Sequence, residues 1–198
     1  MVGNDPSRLI FESTCPFHII DYLNHYVDSM DQEQIETNAK LFGNLLYRDI
    51  ENIFILESDA NKWGLKNYLE DLSETLLKIK GINEKCIIPN SSCFGDGEYL
   101  DAWVNRYYNF DYTPLHIHFD CIISGVIILK IPEIKKDDGR MDGKLQFVIP
   151  HNGYITTYCP MQSVGNIILF PSWVQHLVYP SKKSQERRTL SFNIKIKH

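Results

Sequence analysis

Three residues in the segment PLHIHFDCIISG, Pro114 to Gly125, can bind a metal ion: His116, His118 and Asp120, each two positions from the last. On a β-strand, side chains at i and i+2 share a face and lie about 6.5–7 Å apart. Two imidazoles and a carboxylate placed this way can converge on one cation. His176, in GNIILFPSWVQHLVYP, follows an apolar strand and a Pro-Ser turn and offers a further imidazole. Taken singly, each feature has an ordinary explanation: a His-x-His pair is more often packing than ligand, and a lone histidine is more often a satisfied structural residue. Arg187 changes that weighing. It opens RRTLSFN, eleven residues after His176. Alternation puts Arg187, Thr189, Ser191 and Asn193 on one face and Arg188, Leu190, Phe192 and Ile194 on the other. An inward arginine on a central strand needs an anion, because an unpaired buried charge is costly. With the Thr189 hydroxyl beside it, Arg187 makes a receptor for a carboxylate, two parallel guanidinium bonds and one hydroxyl bond. The bland alternative is an Arg187 that ends its strand and pairs with Glu186 or water.

The elements that must position these residues fall into two textures. Up to about residue 95 the pattern is largely helical. RLIFESTCPFHIIDYL starts apolar and is in part strand-like. Asp31 with Gln34 three residues on resembles a capping box. Ile35, Ala39, Phe42, Leu46, Ile50 and Ile53 then recur at helical spacing, and Leu65, Leu69, Leu72, Leu76 and Ile79 form a second helical face that stops at Gly81. From Tyr99 onward the chain changes to short β-branched and aromatic segments: YLDAWVNRYYNF, CIISGVIILKIP, KLQFVIP, YITTYCP, GNIILFPSW and RRTLSFNIKIK. Turn residues separate them, among them Asp138-Gly139, Asp142-Gly143, Asn152-Gly153 and Pro171-Ser172. Strands at this spacing indicate an antiparallel sandwich or barrel, with the preceding helices packed against it. Asn105 and Tyr107 alternate onto one face of the first long strand and are candidates for the same pocket.

The 198 residues suit a single domain, with 1–95 a largely helical support and 96–198 the β core. Hydrophobic residues make up 43% and charged residues 23%, which argues for a folded chain and against disorder. A net charge of -5 and a pI near 5.8 give no electrostatic case for nucleic-acid binding. No run of apolar residues is long enough for a transmembrane helix, and the N-terminus does not read as a signal peptide. Five cysteines without CxxC spacing support neither a disulfide framework nor a structural zinc site, and a reducing cytoplasm is the expected setting. Cys121 reads as a small buried hydrophobe and Trp173 as a cap on the core.

The order His-x-(Asp or His), a distal His, then Arg-x-(Ser/Thr) resembles the 2-oxoglutarate- and Fe(II)-dependent oxygenases. More narrowly, PLHIHFDCIISGVIIL, GNIILFPSWVQHLVYP and RRTLSFN are similar to prolyl-hydroxylase-like oxygenases of marine bacteria and their phages, and DAWVNRYYNF fits the Trp and Asn that precede the first ligand there. The resemblance runs from Trp103 to Asn193, about half the chain. It implies a double-stranded β-helix (a jelly-roll, cupin-like cup) with helices buttressing one sheet. It implies Fe(II), 2-oxoglutarate and dioxygen, with ascorbate in support, and release of succinate and carbon dioxide. The distal carboxylate of 2-oxoglutarate would lie on Arg187 and Thr189, with Asn105 and Tyr107 lining the pocket. Two ligand sets stay open. His118, Asp120 and His176 give two imidazoles and a carboxylate, the facial triad of non-haem iron oxygenases; His116, His118 and His176 give three imidazoles. Charge favours the first. The likeness of PLHIH to the corresponding prolyl-hydroxylase segment, and the Gly or Asn that the closer group carries at the Asp120 position, favour the second.

The expected activity is hydroxylation of an amino-acid, peptidyl or small-molecule substrate, with neither membrane nor nucleic acid as partner and a homodimer among the compatible oligomeric states. Two competitors differ in kind. A cupin-like metal enzyme that uses no 2-oxoglutarate has no need of a carboxylate clamp at Arg187 and Thr189. A non-catalytic β-helix binding module has no reason to keep every candidate ligand.

Overall fold

The computed structural model describes residues 9–41, 50–91, 98–133, 141–151, 153–182 and 185–197. A short strand β1 (Phe11–Thr14) precedes two helices, α1 (Phe17–Asp28) and α2 (Gln32–Leu41). The capping box forms at the start of α2: Gln34 N donates to Asp31 Oδ1 at 2.8 Å and Asp31 N to Gln34 Oε1 at 2.9 Å. The helical spacing through Ile50 and Ile53 does not hold, because Glu51–Leu56 is strand β2; Phe42 and Leu46 lie outside the described residues. Ile53, Phe54 and Ile55 are all buried there, so the apolar run serves a strand with two covered faces, which helical periodicity cannot tell apart from a helix stripe. Two helices follow, α3 (Glu57–Lys62) and α4 (Leu65–Ile79). Helix α4 ends as its sequence requires, at Gly81 with φ +79°, a left-handed conformation that glycine adopts without Cβ strain.

The remaining strands are β3 (Cys86–Ile87), β4 (Tyr99–Tyr107), β5 (Thr113–His116), β6 (Ile123–Lys130), β7 (Leu145–His151), β8 (Tyr154–Tyr158), β9 (Asn166–Pro171), β10 (Gln175–Val178) and β11 (Arg187–Ile196). They form a seven-stranded sheet, β1-β9-β6-β11-β4-β2 with β3 added to β11, and a four-stranded sheet, β5-β10-β7-β8. From β4 onward the chain passes back and forth between the sheets: β4 large, β5 small, β6 large, β7 and β8 small, β9 large, β10 small, β11 large. That winding is a double-stranded β-helix. The N-terminal region is more than helical support, since β1 and β2 extend the large sheet at its two edges and β3 extends β11. In doing so they cover edges that would otherwise expose unpaired N–H and C=O groups.

Two cores result. The first lies between the large sheet and the helices, where Leu23 of α1 and Leu65 and Leu69 of α4 meet Val104, Ile127, Leu169, Leu190 and Phe192, all fully buried. Each such leucine contributes about 1.5–3 kcal/mol by leaving water. The second lies between the sheets and includes Val126, Ile128, Phe147, Ile168 and Phe170. It fills one end of the cup only. The other end opens into a cavity lined by both apolar and polar side chains.

Candidate active site

Strand β11 separates the two environments residue by residue. Arg187, Thr189, Ser191, Asn193 and Lys195 line the cup, whereas Leu190, Phe192 and Ile194 sit in the helix-side core, as alternation requires. Strand β4 does the same beside it, with Asp101, Trp103, Asn105 and Tyr107 toward the cup. The cup encloses a cavity of about 530 Å³.

His116, His118 and His176 meet on its wall, with one ring nitrogen from each lying within 4.8 Å of the others. The fold brings them together in two ways. His116 and His176 are cross-strand partners of β5 and β10, with ring centroids 4.1 Å apart. The register between these strands slips just beyond them, where Val178 faces Thr113, a bulge of the kind that re-aims side chains at sites. His118 is off the strand: β5 ends at His116, so the premise of one continuous strand through Asp120 is corrected. A loop places it instead. His118 N donates to Ser172 O at 3.0 Å, Ser172 N to Ile122 O at 3.1 Å, and Ser172 Oγ to Cys121 O at 2.7 Å, so the Pro171-Ser172 turn holds the 118–122 segment. Strand alternation therefore does not carry Asp120 to the histidines. It is exposed, at φ +56°, and lies at the rim of the cavity, outside the three-histidine group.

Each imidazole faces the centre through its Nε2. The Nδ1 of His116 bonds Pro114 O at 2.8 Å, that of His176 bonds Val174 O at 3.0 Å, and that of His118 bonds Asn193 Oδ1 at 2.8 Å. An oxygen partner at Nδ1 puts the proton there and leaves the Nε2 lone pair for a metal. The Nε2 atoms of His118 and His176 lie 3.2 Å apart. Trp103 stacks on His118 at 6.1 Å and Phe170 stands edge-on to it, so the ring has little freedom. Burial pushes all three histidines below their usual range, His118 to about 4, and the neighbouring histidines lower His118 and His176 further. They are neutral at neutral pH, which is the form that binds cations.

Arg187 lies further along the same face, 3% exposed. Its guanidinium sits 5.0 Å from the Tyr107 ring, and Nη2 donates to Gln162 Oε1 at 3.1 Å. Nη1 is buried and has no hydrogen-bond partner, and no carboxylate pairs with Arg187 among the described residues. Such a donor set fits a carboxylate brought by a ligand. Asn105 orders the wall nearby: it accepts from Trp103 Nε1 at 3.0 Å and donates to Ser191 Oγ at 2.9 Å and Thr189 Oγ1 at 3.4 Å. Tyr107 bonds Thr113 Oγ1 through its hydroxyl at 2.9 Å.

Two expectations change. Trp173 is 57% exposed and does not cap the core, because the turn after Pro171 swings it outward. Cys121 is only partly buried. Sequence reasoning passed over Asp101 and Gln162. Asp101 was findable, since it precedes Trp103, Asn105 and Tyr107 at the same two-residue step; Gln162 lies in an irregular segment with no periodicity to give it away.

Residues 101–193 match the family model described as "Putative 2OG-Fe(II) oxygenase". By this match the β-helix segment is similar to the 2-oxoglutarate- and Fe(II)-dependent oxygenases. Similar solved structures include a prolyl-4-hydroxylase of Pseudomonas putida, at TM-score 0.59 and 11% identity over 96% of this chain and 94% of that one. A viral collagen prolyl hydroxylase of Paramecium bursaria Chlorella virus-1, solved with 2-oxoglutarate, matches at TM-score 0.53 and 14% identity over 96% and 97%. HygX of Streptomyces hygroscopicus, solved with nickel and 2-oxoglutarate, matches at 0.59 and 10% over 94% and 82%. At these identities the likeness carries the double-stranded β-helix fold and no more. No curated protein sequence matches the chain. No helix among the described residues is long and apolar enough to cross a membrane.

Proposed function

We propose that the chain folds as one oxygenase domain in which His116, His118 and His176 hold the Fe(II) and Arg187, with Thr189, anchors the distal carboxylate of 2-oxoglutarate. The observation that carries this reading is the orphaned Nη1 of Arg187: a buried guanidinium donor without an acid, in the same cavity as three imidazoles with free Nε2 lone pairs. A cupin-like enzyme that uses no dicarboxylate leaves that donor unexplained. The bound iron and cosubstrate supply the oxidising chemistry, in which dioxygen and 2-oxoglutarate yield succinate, carbon dioxide and one oxygen atom for the substrate.

The chain's own residues hold and exclude. Tyr107 stacks under the Arg187 guanidinium and fixes its plane. Asn105 sets the Thr189 and Ser191 hydroxyls so that they face the cosubstrate site. Trp103 and Phe170 pack around His118 and keep water from its ring. Asp120, at the rim, contacts substrate and not metal. The substrate is an amino-acid, peptidyl or small-molecule C–H donor that enters past Phe119 and Asp120, and ascorbate supports turnover by keeping the iron reduced.

The test is succinate release from 2-oxoglutarate by purified protein with Fe(II) and ascorbate under air. Uncoupled release is expected, together with its loss in Arg187→Met. The ligand set is tested separately by metal content: His116→Ala and His176→Ala lose the bound metal, while Asp120→Ala keeps it. Metal loss in Asp120→Ala with retention in His116→Ala would return the carboxylate to the ligand set.

A further inference from the structure

A set of three neutral imidazoles brings a divalent ion no negative charge, whereas the usual iron triad contains a carboxylate. The carboxylate next in sequence, Asp120, is exposed and stands outside the three-histidine group. Another one is wired to the site from a different strand. Asn193 Oδ1 accepts from His118 Nδ1 at 2.8 Å and from Ser124 Oγ at 2.9 Å, and Asn193 Nδ2 donates to Asp101 Oδ2 at 3.0 Å. Asn193 and Ser124 are buried, on neighbouring strands β11 and β6, and are Cα partners in the ladder.

The orientation of the amide follows from its partners. A carboxylate can only accept, so the NH₂ of Asn193 must face Asp101 and its carbonyl oxygen must face His118. That oxygen can only accept, so His118 must carry its proton on Nδ1. The Ser124 hydroxyl donates to the same oxygen and holds it in place. The result is a one-way chain, Asp101 to Asn193 to His118, that ends with the Nε2 lone pair aimed at His176 and His116. Neither His116 nor His176 has such a chain; each bonds a backbone carbonyl two residues before it.

We propose that Asp101, Asn193 and Ser124 form a positioning relay for His118, which fixes its tautomer and supplies at second remove the carboxylate that the three-histidine set lacks. The proposal rests on the reading of these histidines as metal ligands. It is a role for a carboxylate that touches no metal, carried by a hydrogen bond through an amide.

The experiment measures Zn(II) affinity of the full-length protein by chelator competition, together with the ¹⁵N resonances of His118 in the metal-free wild-type protein. The relay predicts a protonated Nδ1 and an unprotonated Nε2 on His118 at neutral pH. It predicts an affinity loss of about 10–100-fold in Asn193→Leu, as for other partners of ligating histidines. Asp101→Asn keeps the tautomer, since an amide oxygen can still accept from Asn193, and loses less. The exchange Asp101→Asn with Asn193→Asp restores an acceptor at 193 and a donor at 101, and recovers affinity over Asn193→Leu. An Nε2-protonated His118 in the wild-type protein overturns the proposal even if Asn193→Leu does not fold. So does wild-type affinity in a folded Asn193→Leu variant whose His116→Ala and His176→Ala counterparts have lost zinc. If those two histidine variants also keep zinc, the metal-site reading itself fails.

Discussion

Arg187 and Arg188 are neighbours on β11, both buried, and they face opposite worlds. Arg188, toward the helices, is saturated. Its Nε and Nη2 grip Glu186 at 2.7 and 2.9 Å, Nη2 also reaches Asp28 at 2.6 Å, and Nη1 reaches the Asn24 side chain at 3.1 Å. Arg187, toward the cup, has one amide partner and an aromatic face, and one donor nitrogen with nothing. The residue type and the burial are the same; the difference lies in whether the fold itself completes the hydrogen-bonding capacity. A completed charge ties elements together, here α1 to β11. An incomplete one waits for a ligand. Glu186 shows how tight the completed side is: burial pushes its carboxyl up, but bonds from Arg188, Arg106 and Lys130 outweigh this and hold it at about 2.

The sharpest way to break this comparison is to truncate both arginines. Arg188→Met leaves Glu186 buried against fewer cations and is expected to cost about 3–5 kcal/mol in urea unfolding. Arg187→Met removes a buried charge that has no counter-ion and should leave stability unchanged or raised. Equal losses would mean that both arginines are structural.

Acid titration probes the same side less drastically. The folded carboxyl of Glu186 sits below its ordinary value of 4.5, so its stabilisation is complete above that value and fades as pH falls from there toward about 2. Urea midpoints measured down this range should fall for the wild type and fall less for Arg188→Met. Identical acid slopes would detach Glu186 from Arg188.

On the cup side, Arg187→Lys keeps the charge and loses the planar fork. About 10–100-fold weaker 2-oxoglutarate binding to metal-loaded protein is expected by calorimetry, from the worth of one or two charged hydrogen bonds. Arg188→Lys should leave that affinity alone.

The smallest effect tests the helix face at a position with no side chain. A Cβ on Gly125 would meet Phe192 at 2.1 Å and Leu169 at 2.7 Å, so Gly125→Ala overpacks that core. A loss of about 1–3 kcal/mol is expected, with ligand affinity intact in the folded fraction.

Much of this was legible before any coordinates. Alternation in RRTLSFN assigns each residue of β11 to its face, because strand period is insensitive to what the faces meet. The jelly-roll strands were legible for the same reason, through β-branched runs between turn residues. Two things were not. Ile53 fits a helical stripe as well as it fits a doubly covered strand, and only the partner β4 decides between them. The position of Asp120 depends on where β5 stops, and β5 stops because the loop after it is held by Ser172, more than fifty residues away in sequence. Local pattern carries no information about such a partner.

The central claim is that three histidines and Arg187 act as one composite site. Calorimetric titration of 2-oxoglutarate into protein with and without a redox-inert divalent metal tests it most directly. The account predicts binding that needs the metal and is lost in both His176→Ala and Arg187→Met. Binding of undiminished affinity by folded Arg187→Met, or by metal-free wild-type protein, would contradict it.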